Sequence, residues 1–422
     1  VKGSLVKFLD EVGYEYNEKA LSREYEVSRL LKDREGNGRA QLFNIEDSEL
    51  RSSGNVVDSR DKVIKALMAK NLEDAYRRLI ESSLEGHNLK LVGSPILREA
   101  KHGLKSLPFV KFYEKDGGLY LTSSLVISCF EGICNSSIHR IMLLNENEGV
   151  IRLVPRHLYY LYKKAIKKGM SLPISIIVGV HPAIMLASST SPSLGRFEIE
   201  SASSILGGLE VYRSPIHGNP VPYASAFIAE GYITEREENE GPFVEAMGCY
   251  DKVRMQPVLK VKRVYLKADE VSHVILPGGL EHKMLMGFPR EANIWNSVSK
   301  VVPKVYGARL TEASGGWLHA IISIEKTHDG DGKNAILAAF ASHPSLKHVV
   351  VVDGDINIDD PGEVEWAIAT RFQGKDDLVI INNARGSSLD PSSINGNTTK
   401  IGIDATMPLG DRERFEKAKI PG

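Results

Sequence analysis

Residues 109–127, FVKFYEKDGGLYLTSSLVI, decide how the middle of this chain folds. Apolar and β-branched residues run over 109–113 and again over 118–127. Between them Asp116-Gly117-Gly118 supplies the backbone freedom that a tight reversal needs, so the stretch predicts a β-hairpin. The same texture continues downstream, with strands expected at 138–144, 174–178, 225–233, 258–266 and 271–276. Only two helical stretches interrupt them, at 157–168 and 198–206. Many short strands with few helices predict a barrel or strongly curved sheet over 106–300.

The flanks differ. Residues 1–105 read as helix-rich α/β, beginning with an amphipathic helix that buries Leu5, Phe8 and Leu9. Short strands are expected at 41–45 and 54–57 and helices at 62–70 and 72–83, before a Pro95-containing linker at 91–98. From 301 to 422 apolar strands alternate with helices: strand 317–325, helix 333–341, strand 349–352, helix 363–371 and strand 378–381. That order favours a sheet with helices packed on it. The fold class is therefore α/β (α+β) in three domains, 1–105, 106–300 and 301–422, with a charged tail from 403 that is either docked or partly disordered.

With 422 residues, 42% of them hydrophobic and 25% charged, the chain has the composition of a multidomain globular protein. Its 53 basic and 54 acidic residues leave a net charge of −1, which gives no global pull toward nucleic acid or membrane. Cys129, Cys134 and Cys249 are odd in number and lack C-x-x-C spacing, so reduced, buried thiols are expected rather than a disulfide or structural zinc. No apolar run reaches ~18 residues and the first residues lack a signal-peptide core, so a cytoplasmic protein is expected.

Chemistry concentrates in four places. Glu240-Gly241-Pro242-Phe243-Val244-Glu245 sets two carboxylates on either side of a backbone break. Two acids aimed into one pocket push their pKa values apart, so that one holds a charge and the other a proton. An acidic surface turn is the alternative. Asn135-Ser136-Ser137-Ile138-His139-Arg140 follows a strand, and Arg140 is a permanent cation suited to a carboxylate or phosphate. Arg156-His157 opens one helical stretch, and Ser188-Ser189-Thr190 precedes another headed by Glu198. Asn135, His157 and Glu198 form an N/O ligand set for a divalent ion such as Mn2+ or Mg2+. Equally, His157 can be a solvated capping residue and Glu198 a favourable charge at a helix N-terminus. Asp353-Gly-Asp355-Ile-Asn357-Ile-Asp359 resembles the front of a calcium loop, but Ile358 occupies the glycine position and Val364 that of the terminal glutamate.

In this order the motifs resemble the UbiD family of decarboxylases, which use prenylated FMN. The match runs from about residue 90 to the end and includes PISIIVGVHPAIMLASS, ESASSILGG, EGPFVE, KHVVVVDGDINI, EVEWAIATR, GSSLDPS and KIGIDAT. The resemblance implies a split barrel for the flavin and a divalent ion on Asn135, His157 and Glu198 that anchors the cofactor phosphate. It implies cofactor contacts from Ser136, Ser137, Ile138, His139, Arg140, Arg156 and Ser189. A monovalent cation such as K+ would use the Ser188–Thr190 segment. Arg140 and Glu240 would form a pair that positions the substrate carboxylate, and Glu245 would deliver the proton. Val244 departs from the family's usual glycine.

The compact members resembled in LPGGLEHKMLMG and GDGKNAILAAFASHPSLKH include decarboxylases of trans-anhydromevalonate 5-phosphate, the substrate expected here, giving isopentenyl phosphate and CO2. Lys283 and Arg290 are candidates for its phosphate, or else solvated charges. The alternatives are an aromatic or arylic acid substrate, a non-catalytic flavin carrier, or a plain FMN oxidoreductase. The partners expected are a small unsaturated acid, a flavin prenyltransferase that supplies the cofactor, and further copies of the chain in a dimer or hexamer.

Overall fold

The computed structural model describes residues 2–84, 88–415 and 417–418. It divides into two compact units, Val1–Leu285 and Met286–Gly422.

In the first unit, strands Tyr120–Phe130, Ile133–Leu143, Glu148–Ile151, Arg254–Leu266, Phe227–Glu240 and Leu172–Val178 succeed one another around a closed antiparallel barrel. Closure leaves these strands no open edge. Alternate residues, among them Val126, Ile141, Ile151, Ile174, Ile176, Val178, Phe227, Ala229, Leu259 and Val261, form one buried cluster. The His157–Lys167 helix adds Leu158, Leu161, Tyr162 and Ala165 to that core, the spacing of one helical face. Residues facing the other way, Tyr120, Met142 and Val150, pack with Phe243 against Leu21, Val27, Leu31, Phe43 and Ile45 of the N-terminal layer, with a bulge between Leu121 and Ser124 shifting the alternation on the first strand. That layer carries a small sheet of Tyr14–Leu21, Ala40–Ile45, Ser52–Gly54 and Ser272–His273. Its first helix, Leu5–Val12, buries Leu5, Phe8 and Leu9 and is capped by the Ser4 side chain, which accepts the Lys7 N–H.

Several expectations need correction. Instead of a full strand, 109–113 contributes one antiparallel bridge, Val110 to Tyr120, and a parallel one from Lys111 to Glu24. The Asp116 carboxylate takes the N–H groups of Phe112 and Tyr113 at 3.0 and 2.9 Å, so they are lost to any ladder. The strand expected at 54–57 is Ser52–Gly54, because the N–H groups of Val56 and Val57 turn to the buried Glu281 carboxylate instead. The 19-residue helix Leu280–Val298 escaped notice since Gly287 and Pro289 punctuate it. Gly287 lets it approach Gly316, whose carbonyl oxygen would lie 2.6 Å from an added Cβ. Cys129 and Cys134 are cross-strand partners and are joined by a disulfide, and Cys249 is exposed. Counting cysteines along the chain ignored the hairpin register that sets two of them face to face with Cα atoms 4.0 Å apart.

The second unit holds a sheet ordered Lys304–Leu310, His319–Glu325, His348–Asp353, Asn397–Ala405 and Leu378–Arg385. Its three central strands are parallel and its outer two pair antiparallel. Val349 and Val351 enter one apolar cluster and Val350 and Val352 another, so the Val349–Val352 run is buried on both faces. The expected charged tail begins later than 403, since the Asn397–Ala405 strand reaches 405 and a 3-10 segment follows at Leu409–Phe415. Residues 416 and 419–422 of that tail lie outside the described residues. No helix among the described residues is long and apolar enough to cross a membrane.

Candidate active site

Glu240 ends the long barrel strand Phe227–Glu240. Gly241 turns the chain with φ +101, a conformation closed to most side chains. Phe243–Val244 then pairs with Tyr250–Asp251, and this two-residue ladder carries both Glu245 and Asp251 back toward Arg140. The buried Val244 is one rung of that ladder, opposite Tyr250. From the first hairpin, the Gly117 N–H donates to the Pro242 carbonyl at 2.9 Å and so fixes the turn from outside.

Arg140 gathers the three acids. Its Nε and Nη2 donate to Glu240 Oε1 and Oε2 at 2.8 and 2.9 Å, a bidentate pair. Nη1 donates to Glu245, and Nη2 also reaches Asp251 at 3.3 Å. Side-chain exposure is 0% for Glu240, 9% for Arg140 and 17% for Glu245, so the pair is buried and the second acid is the accessible one. The guanidinium lies over the Phe243 ring, 4.4 Å from its centroid. Burial opposes the charge of Arg140, but its bond to Glu240 and the charge of Glu245 more than restore it and raise its pKa. Glu245 moves the other way from an ordinary carboxylate in water: burial raises its pKa against the pull of Arg140, and the nearby Asp251 charge adds to the rise. The carboxylate that reinforces the shift is thus Asp251, where sequence reasoning looked to Glu240. The result is one fixed ion pair beside one acid predisposed to hold a proton.

A second cluster lies five residues earlier on the same strand. Glu198 opens its helix with 1% exposure, and its carboxylate accepts the Asn135 amide N–H at 2.9 Å and the Ser136 backbone N–H at 2.7 Å. His157 Nδ1 is 3.8 Å from Glu198 Oε1. His157 and Glu198 are each the first residue of a helix, and neither helix has a side-chain cap hydrogen bond. Two helix N-termini converging on one carboxylate, one imidazole and one amide suit an anion together with a hard or borderline cation. The three side chains therefore come together, and their donor set fits a divalent ion.

The remaining sequence candidates fall around these clusters. Ser136 and Ser188 share a hydrogen bond at 3.0 Å, while the Ser189 and Thr190 hydroxyls bond to the carbonyls of Met185 and Ala187. Arg156 donates to Ser191 at 3.2 Å. Ser137 bonds to Asn135 and to His139, whose other ring nitrogen meets the Arg152 carbonyl at 2.9 Å. Burial, offset in part by that carbonyl, holds the His139 pKa down at about 4, so its ring is neutral. Ile138 sits between them on the strand, paired with Leu125. Sequence reasoning missed Asp251, Phe243 as the platform under Arg140, and His282. Burial, with the Arg140 cation next, holds the His282 pKa at about 4, and its Nδ1 accepts the Gly278 N–H at 3.0 Å. The signal for Asp251 was an acid on the return strand of a short turn, visible only once the ladder is known. Lys283 is partly exposed, and Arg290 lies near the Trp317 ring, 5.9 Å from its centroid.

Residues 91–280 match the UbiD 3-octaprenyl-4-hydroxybenzoate carboxy-lyase Rift-related domain, and residues 283–405 match the C-terminal domain of the same family. The anhydromevalonate phosphate decarboxylase of Aeropyrum pernix is 52% identical over 420 residues, covering 99% of this chain and 96% of that protein. The UbiD-class enzyme HmfF from Pelotomaculum thermopropionicum, solved in complex with FMN, superposes with a TM-score of 0.95 at 35% identity, over 99% of this chain and 98% of the other. An evolved dimeric form of that enzyme with prFMN gives a TM-score of 0.90 at 34% identity, covering 99% and 97%. The chain belongs to the UbiD family of carboxy-lyases.

Proposed function

We propose that this decarboxylase acts on trans-anhydromevalonate 5-phosphate, releasing CO2 and isopentenyl phosphate with the help of prenylated FMN. The observation that carries the reaction is the cluster of a buried Arg140–Glu240 pair with a more accessible Glu245 whose pKa is raised. The substrate rests on the near full-length similarity to the Aeropyrum pernix enzyme. Loss of CO2 leaves electron density on carbon that no protein side chain stabilises well, and the bound flavin supplies the sink for it.

The chain's own residues do the rest. Arg140, held on two nitrogens by Glu240, presents a fixed positive edge to the substrate carboxylate. Burial shifts Glu245 toward its protonated form, and it delivers a proton to the carbon that has lost CO2. Glu240 fixes the direction of Arg140 through its two hydrogen bonds. Asn135, His157 and Glu198 would hold Mn2+ or Mg2+ against the flavin phosphate, with the two helix N-termini adding to the anion's stabilisation. The Ser188–Thr190 segment would take a monovalent cation such as K+. A flavin prenyltransferase is the partner such a cofactor requires, and a cytoplasmic homo-oligomer completes the proposal.

The test is co-expression with a flavin prenyltransferase, followed by assay of released CO2 from trans-anhydromevalonate 5-phosphate and from a panel of cinnamic, hydroxybenzoic and furoic acids. Isopentenyl phosphate and CO2 from the first compound are expected. CO2 from an aromatic acid in its place would overturn the substrate.

A further inference from the structure

We propose that Arg152 is the specificity residue that grips a second anionic group of the substrate, the phosphate of a phosphorylated unsaturated acid; this rests on the reading just given. Arg152 follows the short barrel strand Glu148–Ile151, and its backbone N–H donates to the Arg140 carbonyl at 3.1 Å. Continuing the register of Ile141 with Ile151 sets Arg152 directly opposite Arg140. Directly opposed residues share one face of a sheet, so the two guanidinium groups emerge side by side. On the next strand Arg254 pairs with Glu240, and this brings a third guanidinium to the cluster.

The three cations are not equally matched. Arg140 holds Glu240 and Glu245, and Arg254 donates to Asp251. Among the described residues no carboxylate lies within ion-pair distance of Arg152, whose guanidinium reaches only the Leu153 carbonyl, at 3.3 Å. It is half-buried, open enough to meet a ligand and enclosed enough to gain from one. Arg152 thus enters the cluster as a positive charge with no carboxylate of its own among the described residues. Burial first, then the Arg254 and Arg140 cations, makes that charge costly on Arg152 and lowers its pKa. An entering dianion removes the cost, and a guanidinium offers it two parallel N–H donors. The flavin phosphate does not fill this role. Its expected ligands begin at Asn135, five residues from Arg140 on one strand, and odd separations point to opposite faces.

The measurement is calorimetric titration of the flavin-loaded protein with trans-anhydromevalonate 5-phosphate and with its dephosphorylated acid, for the wild type, Arg152→Gln and Arg152→Lys. The wild type is expected to favour the phosphorylated acid by about 30-fold, the scale of hydrogen bonds to a charged group. Arg152→Gln should erase that preference and Arg152→Lys should keep part of it, with affinity for the dephosphorylated acid within about twofold throughout. Visible absorption of the flavin should be the same in all three. The proposal is overturned if the wild type binds both acids alike, if Arg152→Gln weakens both equally, or if the preference survives in it. If Arg152→Gln does not fold, the Lys variant decides on the same criteria. CO2 release by the wild type is read separately: its absence with phosphate discrimination intact overturns the reaction assigned to this acid and supports the Arg152 site.

Discussion

Two buried arginines in this protein each collect carboxylates, and they do different things. In the second unit Arg371 donates to Asp353 at 3.1 Å and to Asp355 at 2.9 and 2.6 Å, and also reaches the Phe415 carbonyl at 3.3 Å. Asp353 further accepts the Met407 N–H, so the cluster ties a strand end, a helix and the C-terminal segment together. The Arg371 side chain is 0% exposed, and both Asp355 oxygens are bonded to it. Arg140 in the first unit is matched by Glu240 in the same bidentate way, but among the described residues the carboxylate of its second acid, Glu245, has a single hydrogen-bond partner, Arg140, where Asp353 is also fixed by the Met407 N–H. A buried arginine among acids is therefore not a site in itself. What marks a site is an acid left loosely held at its edge.

That contrast can be broken by experiment. Glu245→Gln should lower turnover by about 10^3-fold while the purified protein keeps its flavin spectrum, the effect of removing a general acid. A near-normal rate would remove Glu245 from its role. Arg371→Met should leave turnover per folded molecule unchanged but cost about 3–5 kcal/mol of stability, because Asp353 is left buried and unpaired. Denaturant unfolding of the two variants side by side separates the effects. Arg140→Lys keeps the charge but loses the fork, and a drop in kcat of about 100-fold is expected from misplacement of the substrate carboxylate. Replacing Cys129 and Cys134 together by Ser should cost about 2 kcal/mol, the stabilisation of a cross-link closing so short a loop, and should leave kcat alone. Non-reducing thermal melts check it.

The smallest effect is in pH dependence. Burial raises the Glu245 pKa, so the folded state favours the protonated form. The stability this confers is complete below the unfolded carboxyl pKa and is lost as pH rises through the raised value. Glu245→Gln, which cannot ionise, should flatten that limb of the stability curve. In the wild type, turnover should fall over the same limb as the proton is lost.

Much of this was legible before any coordinates. The short apolar, β-branched runs at 174–178 and 258–266 specified barrel strands, and the helices headed by His157 and Glu198 begin where their periodicity does. Asn135, His157 and Glu198 could be named as an N/O ligand set, and the resemblance to the family's ordered motifs, rather than their spacing, tied them together. What stayed hidden depends on register. Cys129 facing Cys134, Asp251 returning to Arg140 and Arg152 opposing Arg140 follow from which residues sit across a ladder, and no local pattern encodes that. The calcium-like run at Asp353 misleads for the converse reason: its acids look free in sequence and are committed to Arg371 in space.

Gly117 couples distant parts of the chain. A Cβ there would lie 2.1 Å from the carbonyl oxygen of Gly241, so any other amino acid must push the acid-bearing turn aside. Natural variants of this protein should therefore tolerate change at 117 only alongside change in the turn at 241, and a screen for altered substrate range has, at this one small residue, a lever on the chemistry from outside it.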